Sequence, residues 1–467
     1  MEELIKKNEK SSQKISRRDF ITKSSAAAAA FMIVPRYVLG GPGYTAPSDK
    51  INIAAIGVGG KGRSDIAAVA TENIVALCDV DDVKMFDTIK RAGEWAEEKG
   101  LSENPLTKVP RYKDFREMLD KQKDIDAVTV STPDHFHAVA AITAIKQGKH
   151  AFVQKPLTYS VDEAQKLSAA AKKAGVVTQM GNQGHAGEGI RLIGEWLKDD
   201  AIGEVREVHC WTNRPIWDTG MNRPAEIPSV PPTLDWNQWI GPAPFRPYHP
   251  DYAPWSWRAW CDFGTGALGD MGAHIFDIPY HTLKMDHPTS VFASSSKFNG
   301  ESWPVASTIY YEFPQRGSLP PVKLTWYDGG IMPSRPEGIE PGRRMGDGDG
   351  GIMFYGDKGM IMCGCYGRNP RLVPETSMKE YQRPPKTLSR SPGIHEEWVQ
   401  CIKESKQASS NFDYAARLTS TMLLGNIAIR MAPRSTKLEW DGIAGKFTNM
   451  DEANDYLGRE YRDGWNL

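Results

Sequence analysis

A chain of 467 residues is too long for one ordinary hydrophobic core, and its 40% hydrophobic and 25% charged content is that of a globular two-domain protein. The formal net charge is −1, and the first forty residues hold eight Lys/Arg against four Asp/Glu, so the remainder carries about −5, the wrong sign for a nucleic-acid-binding stripe. Six scattered cysteines are too few for a disulfide framework, and Cys363-Gly364-Cys365 lacks the spacing of a zinc knuckle. Buried thiols and no metal site are therefore expected, with one structural disulfide compatible with export.

The first feature along the chain is Ser16-Arg17-Arg18-Asp19-Phe20-Ile21-Thr22-Lys23, followed by an Ala-rich apolar stretch from Ala26 to Val34. It reads as a twin-arginine export signal over residues 1–40, with an apolar segment suited to cleavage rather than anchoring, and it places the protein in the periplasm or otherwise outside the cytoplasm. No later apolar run approaches spanning length, so no membrane helix is expected in the mature protein. From residue 50 to about 180, short β-branched runs alternate with helical periodicity. Strands are expected at Ile51–Gly57, Asn73–Asp79, Ala127–Ser131, His150–Val153 and Val176–Gln179. Helices are expected at Ile66–Ala70, Val83–Glu98, Phe136–Gln147 and Val161–Lys173. This rhythm specifies an α/β fold whose N-terminal domain is a Rossmann-type, doubly wound parallel sheet.

Residues 181–467 change character. A helix at Ile190–Lys198 and a strand at Val205–Trp211 precede a Pro- and Trp-rich stretch from Asn213 to Trp260. A helix over Ala267–Leu283 then leads into β-rich runs at Val291–Lys297, Val305–Phe313, Val322–Trp326, Ile352–Tyr355 and Met360–Cys363. Long Gly/Pro-rich loops interrupt them, giving a C-terminal α+β domain over residues 181–467 whose sheet carries long insertions.

Chemistry enters at the glycine loop. Gly57 permits the tight turn after the first strand, Gly59 with Gly60 lets the backbone approach a pyrophosphate, and Gly62 allows the next helix to pack closely. Asp79, at the end of the second strand, is placed to accept adenine-ribose hydroxyls, which favours NAD over NADP; Arg63 is the one nearby cation that argues the other way.

Two further motifs end successive strands, Ser131-Thr132-Pro133-Asp134-His135-Phe136-His137 and Gln154-Lys155-Pro156. With the glycine loop they resemble the "T-P-N-x-x-H" and "E-K-P" signatures of the Gfo/Idh/MocA oxidoreductases, over the chain from about Lys50 onward. Asp134 stands for the usual Asn, and Gln154 for the Glu that touches the nicotinamide ribose in that family. The resemblance implies a large open, mostly antiparallel sheet in the second domain, used to pair subunits into a homo-oligomer. It also implies cofactor contacts from Thr132, Pro133, His137, Gln154 and Lys155.

In Gly269-Asp270-Met271-Gly272-Ala273-His274, residues four apart share a helix face, so Asp270 and His274 can point into one cleft. Removing hydride from a carbinol carbon requires its hydroxyl proton to leave as well. Histidine suits the base, lysine can stabilise alkoxide charge, and an aspartate can orient the imidazole or grip a neighbouring hydroxyl. The family resemblance implies that Lys155, Asp270 and His274 are the catalytic group. His185 follows the last strand of the first sheet and is a candidate substrate contact. So are Arg214 and Trp217 in the Trp-rich stretch, where aromatic faces suit pyranose rings, although most of these tryptophans are expected to pack the insertion itself or an oligomer interface.

The expectation is an exported NAD-dependent oxidoreductase with a tightly held cofactor, acting on a sugar or glycoside hydroxyl, with C3 as the expected position. Recycling then requires a second sugar or an electron acceptor. The alternatives are an NAD-dependent redox-neutral glycosidase, working by oxidation, elimination, hydration and reduction, and a non-catalytic sugar-binding protein.

Overall fold

The computed structural model describes residues 49–100 and 103–467; the twin-arginine run and its apolar stretch lie outside them. Six strands form the first sheet: β1 (Asn52–Ile56), β2 (Asn73–Cys78), β3 (Arg111–Tyr112), β4 (Ala127–Val130), β5 (His150–Val153) and β6 (Thr178–Met180). All pair in parallel, in the order β3-β2-β1-β4-β5-β6. Every residue of β4 is buried, as expected of a strand covered by helices on both faces. Ile56 pairs with both Cys78 and Val130, so Gly57, Asp79 and Ser131 leave the sheet together at its carboxyl edge. The strand order reverses at β1, and the crevice there is where such sheets bind ligands.

The helices of this half are α1 (Lys61–Ala68), α2 (Asp82–Glu98), α3 (Phe115–Lys121), α4 (His137–Lys146) and α5 (Val161–Ala174). Local signals fix α5 at both ends. Ser160 and Glu163 form a capping box, and Gly175 closes the helix at φ 67°. The reading from sequence missed β3 and α3, which are too short to establish a period. It also began α1 five residues late, because Lys61-Gly62-Arg63 carries no apolar repeat although it already forms the first turn.

The second half supplies α6 (Glu188–Lys198), β7 (Val205–Thr212), α7 (Trp236–Ile240), α8 (Gly266–Ile275) and α9 (Asp277–Thr282). The expected single helix over Ala267–Leu283 is thus two helices that meet at Phe276. Strands β8 (Ser290–Ser295), β9 (Ser307–Phe313), β10 (Val322–Tyr327), β11 (Gly350–Gly356), β12 (Met360–Gly364) and β13 (Arg371–Val373) follow, with β14 (Leu438–Asp441) and β15 (Lys446–Phe447) near the end. They form a nine-stranded sheet ordered β13-β12-β11-β7-β10-β9-β8-β14-β15, antiparallel except for the β7–β10 pair. The C-terminal domain is therefore built on a mixed, mostly antiparallel sheet. All six cysteines are free thiols, five of them buried, including Cys363 and Cys365.

Helices α10 (Glu375–Glu380), α11 (Ile394–Glu404) and α12 (Phe412–Met431) complete the part of the fold that positions the site. Helix α12 is buried on nearly all sides and packs against α5, α8 and β8. It ties the helix that carries Asp270 and His274 to both sheets. A helix buried all round, with Thr419, Thr421 and Asn426 inside among the apolar residues, shows no amphipathic stripe, which is why the sequence periodicity left this stretch unassigned.

Candidate active site

The glycine loop is closed to side chains at two points. Gly57 sits at φ +77°, and a Cβ there would lie 2.8 Å from the Ser131 carbonyl group; a Cβ on Gly62 would collide with the Gly57 carbonyl. Asp79 holds the loop from below, its Oδ2 accepting from the Val58 amide at 2.8 Å and the Gly59 amide at 3.3 Å. Burial pushes its carboxyl pKa up against these hydrogen bonds. A cleft of about 520 Å³ opens above, lined by Gly57, Gly59, Gly60, Asp79, Thr132, Pro133, Gln154 and Lys155. Thr132 Oγ1 is buried in it without a hydrogen-bond partner among the described residues. A glycine cradle, a carboxylate at the second strand and an unsatisfied hydroxyl together fit a nicotinamide dinucleotide. Arg63 is bound to Asp87 at 2.7 Å and does not line the cleft.

The Trp-rich stretch forms the other wall of this cleft. The Asp82 amide donates to Thr233 O at 3.0 Å and the Asp235 amide to Val80 O at 2.9 Å, joining the stretch to the turn that follows Asp79. Pro231, Leu234, Trp239, Tyr248, Trp255 and Trp257 continue the wall. Behind them the aromatic rings pack on each other, with Trp236 and Trp239 stacked at 4.7 Å and Trp239 against Phe263 at 4.9 Å. Trp217 belongs to this packed cluster and is 8% exposed, so the structure does not place it on the cleft lining as a sugar platform. Trp255, 57% exposed, is the open aromatic face.

Lys155, Asp270 and His274 meet. Lys155 Nζ donates to Asp270 Oδ1 at 2.8 Å and to its carbonyl oxygen at 2.7 Å. Arg258 Nε donates to the same Oδ1 at 3.1 Å, and Arg214 Nε stands 3.7 Å from Oδ2. Burial pushes the Asp270 carboxyl up, but Lys155 and Arg258 overcome this and hold it well below the usual carboxylate range. Asp270 therefore orients the lysine, a role additional to the two expected of it, orienting the imidazole or gripping a neighbouring hydroxyl. His274, one turn on, is 3% exposed, and its Nδ1 is buried with no partner among the described residues. Burial and then the Lys155 charge drive its pKa well below the ordinary value, with Lys61 and Arg214 adding to the effect against Asp270. The imidazole is thus neutral and has a lone pair to offer, while burial and the adjacent ammonium lower its basicity. Its ring centroid lies 4.6 Å from that of Tyr366, whose φ of 62° is an uncommon left-handed conformation for an aromatic residue.

His137 and His185 act elsewhere than expected. The His137 ring nitrogens lie 2.8 Å from Pro156 O and 2.9 Å from Thr132 O, so it ties the two strand-end motifs together from beneath the cleft instead of lining it. His185 Nδ1 is 3.1 Å from both oxygens of Asp277, which also accepts from Tyr414 Oη at 2.5 Å; this buried pair does not line the dinucleotide cleft.

Two residues that the sequence did not single out complete the site. Asp65, on α1, is fully buried and accepts from Lys61 Nζ at 2.6 Å, Ser131 Oγ at 2.7 Å and Gln154 Nε2 at 2.9 Å, with His395 Nε2 at 2.9 Å from its Oδ1. Burial raises its pKa, but His395 and Lys61 outweigh that and lower it. Gln154 is thereby explained, because a carboxylate in its place would face a buried carboxylate. The Lys61-x-x-x-Asp65 spacing was visible in the sequence, whereas the approach of His395 was not.

Comparison with known proteins matches both halves of the fold. Residues 51–182 match the Gfo/Idh/MocA oxidoreductase family model, NAD-binding Rossmann fold, and residues 204–313 match the C-terminal α/β domain of the same family. A glycosyl hydrolase family 109 protein of Solibacter usitatus is 34% identical over 124 residues, 26% of this chain and 27% of that one. A levoglucosan dehydrogenase of Pseudarthrobacter phenanthrenivorans is 26% identical over 166 residues, 35% of this chain and 34% of that one. The chain thus spans about a quarter to a third of the length of these two relatives. Among solved structures, an oxidoreductase domain protein from Kribbella flavida superposes with a TM-score of 0.54 at 21% identity, covering 84% of this chain and 99% of that one. Levoglucosan dehydrogenase in complex with NADH and levoglucosan gives 0.53 at 17%, covering 83% and 99%. With both halves of the fold matched in order, this chain belongs to the Gfo/Idh/MocA oxidoreductase family.

Proposed function

We propose that this protein is an exported NAD-dependent oxidoreductase that oxidises a ring hydroxyl of a sugar or glycoside, with C3 the expected position, and keeps its cofactor between turnovers. The observation that carries the reading is that Lys155, which lines the dinucleotide cleft, is held by Asp270 and neighbours the buried imidazole of His274. The glycine loop, Asp79, Thr132 and Gln154 would hold the cofactor, which when bound supplies the hydride acceptor. Asp270 fixes Lys155 so that its ammonium meets the substrate oxygen as negative charge develops there. The hydroxyl proton would pass to the imidazole of His274, the neutral base beside Lys155. The stretch pinned to Val80 and Asp82 covers the adenosine end of the cleft, which supports slow cofactor exchange. Export through the twin-arginine route accounts for the value of such retention, since cargo folded before transport carries its cofactor along. A second sugar or an electron acceptor would then regenerate it, and subunits would pair through the open face of the nine-stranded sheet.

The second reading is a redox-neutral glycosidase, supported by the similarity to glycosyl hydrolase family 109 proteins. Oxidation at C3 acidifies the C2 proton, elimination expels the aglycone, and hydration and reduction complete the cycle. One experiment separates the two: the absorbance and fluorescence spectrum of the purified mature protein, before and after a panel of glycosides, with released sugars analysed in parallel. Reduced nicotinamide appearing on sugar addition supports the oxidoreductase, and aglycone release with an unchanged spectrum supports the glycosidase. Neither change with any sugar would overturn both.

A further inference from the structure

We propose that a cavity on the far side of Tyr366 from His274 is a subsite for an anionic substituent, a carboxylate or a sulfate ester, carried by the sugar substrate. The substrate class rests on the functional reading above; the anion preference rests on the cavity itself.

The cavity, about 780 Å³, lies between the start of α6 and the segment from Tyr366 to Arg371. It shares no lining residue with the dinucleotide cleft, so it is not the site of the cofactor's phosphates. Its link to the chemistry is Tyr366, which lines the cavity and also meets the His274 imidazole at 4.6 Å between ring centroids. The backbone of Tyr366 is pressed against Gly184, where a Cβ would come within 3.0 Å of the tyrosine Cα. Tyr366 thus stands between the His274 imidazole and this space, and a substituent that reaches it passes the edge of that ring.

The lining carries a surplus of positive charge. Arg368, Arg371 and Arg383 face it, against one carboxylate, Glu188, which is already held by Lys386 at 2.8 Å and Arg390 at 3.0 Å. Arg371 shares Glu375 with Arg343, at 3.4 and 3.1 Å. Among the described residues no carboxylate comes within ion-pair distance of Arg368 or Arg383. Instead each guanidinium lies over an aromatic ring, Arg368 on Tyr366 at 4.5 Å and Arg383 on Trp196 at 5.7 Å. Stacking orients a guanidinium while leaving its N–H edge free, the arrangement that binds planar carboxylates and tetrahedral oxyanions with two parallel hydrogen bonds. Neutral hydroxyls can accept from the same N–H groups but gain less than an anion, which adds charge pairing and a bidentate fit.

The test compares methyl glucoside with methyl glucuronide and glucose 6-sulfate on the cofactor-loaded protein at low salt. Binding is read by calorimetry and turnover by kcat/KM. The charged probes are expected to bind about tenfold or more tightly than the neutral one. That ratio should collapse in Arg368→Gln/Arg383→Gln and be partly kept in Arg368→Lys, which also controls for folding. Inorganic sulfate is a competitor in a parallel arm. A sulfate affinity equal to that of glucose 6-sulfate, or a charged-to-neutral ratio near one, overturns the proposal, as does a ratio untouched by the double substitution. Because binding is measured separately from turnover, a preference for charged sugars without reaction would overturn the functional reading and leave the subsite standing.

Discussion

Gln154→Glu is the sharpest test of how the site is charged. The Gln154 amide nitrogen lies 2.9 Å from Asp65 Oδ2, and both side chains are buried, so the substitution sets two carboxylates about 3 Å apart. At an effective dielectric constant near 20, two full charges at that distance repel by about 5 kcal/mol. The pair escapes by sharing a proton, and the penalty cannot exceed the cost of keeping the introduced carboxyl protonated, about 1.4 kcal/mol per pH unit above its ordinary pKa near 4.3. That ceiling is about 5 kcal/mol at pH 8 and about 1 kcal/mol at pH 5. Lys61 and His395, which already serve Asp65, lower the net loss at pH 8 to about 3 kcal/mol. The sign follows from a folded-state pKa raised above the unfolded one: the penalty is absent below the unfolded pKa and grows with pH between the unfolded and folded values. Thermal melting of wild type, Gln154→Glu, Asp65→Asn and the double variant at pH 5 and 8 measures this. The double variant, which moves the charge instead of doubling it, should recover most of the loss. A Gln154→Glu protein as stable as wild type at pH 8, or a penalty that does not change with pH, would refute the reasoning.

Three further outcomes are expected. Because burial and nearby cations hold the His274 pKa below its ordinary value, the acidic limb of the pH profile of kcat/KM should lie below about pH 6.5; Lys61→Met removes one of those cations and should move the limb to higher pH, and an unmoved limb would separate Lys61 from the site. Lys155→Met should reduce kcat by about 100-fold or more while leaving bound nicotinamide in place, a split that single-turnover kinetics and the protein's absorbance spectrum can check. Gly62→Ala drives a methyl group into the Gly57 carbonyl and should abolish co-purification of nicotinamide without unfolding the nine-stranded sheet, as followed by circular dichroism and nucleotide extraction.

What the amino-acid sequence determined by itself was whatever depends on neighbours a few residues apart. The strand, glycine loop and helix from Ile51 onward, the strand ends that present Thr132 and Lys155, and the i, i+4 spacing of Asp270 and His274 are local patterns with fixed periods, and each is found where those patterns place it. Composition also foretold that most tryptophans of the long insertion would pack one another. What the tertiary structure decided was which partners those residues keep. Asp270 faces Lys155, Arg258 and Arg214, so its carboxylate serves the lysine; nothing in a helical spacing distinguishes that from service to His274. His185 looked like a loop residue at a sheet edge until α9 brought Asp277 against it. Asp65 and His395 meet across 330 positions of chain, and the insertion reaches back to Val80 and Asp82 to wall the cleft. The reason is physical: hydrogen-bond periodicity within an element is written in adjacent residues, whereas the pairing of buried charges is settled by packing, when elements remote in sequence must satisfy one another away from water.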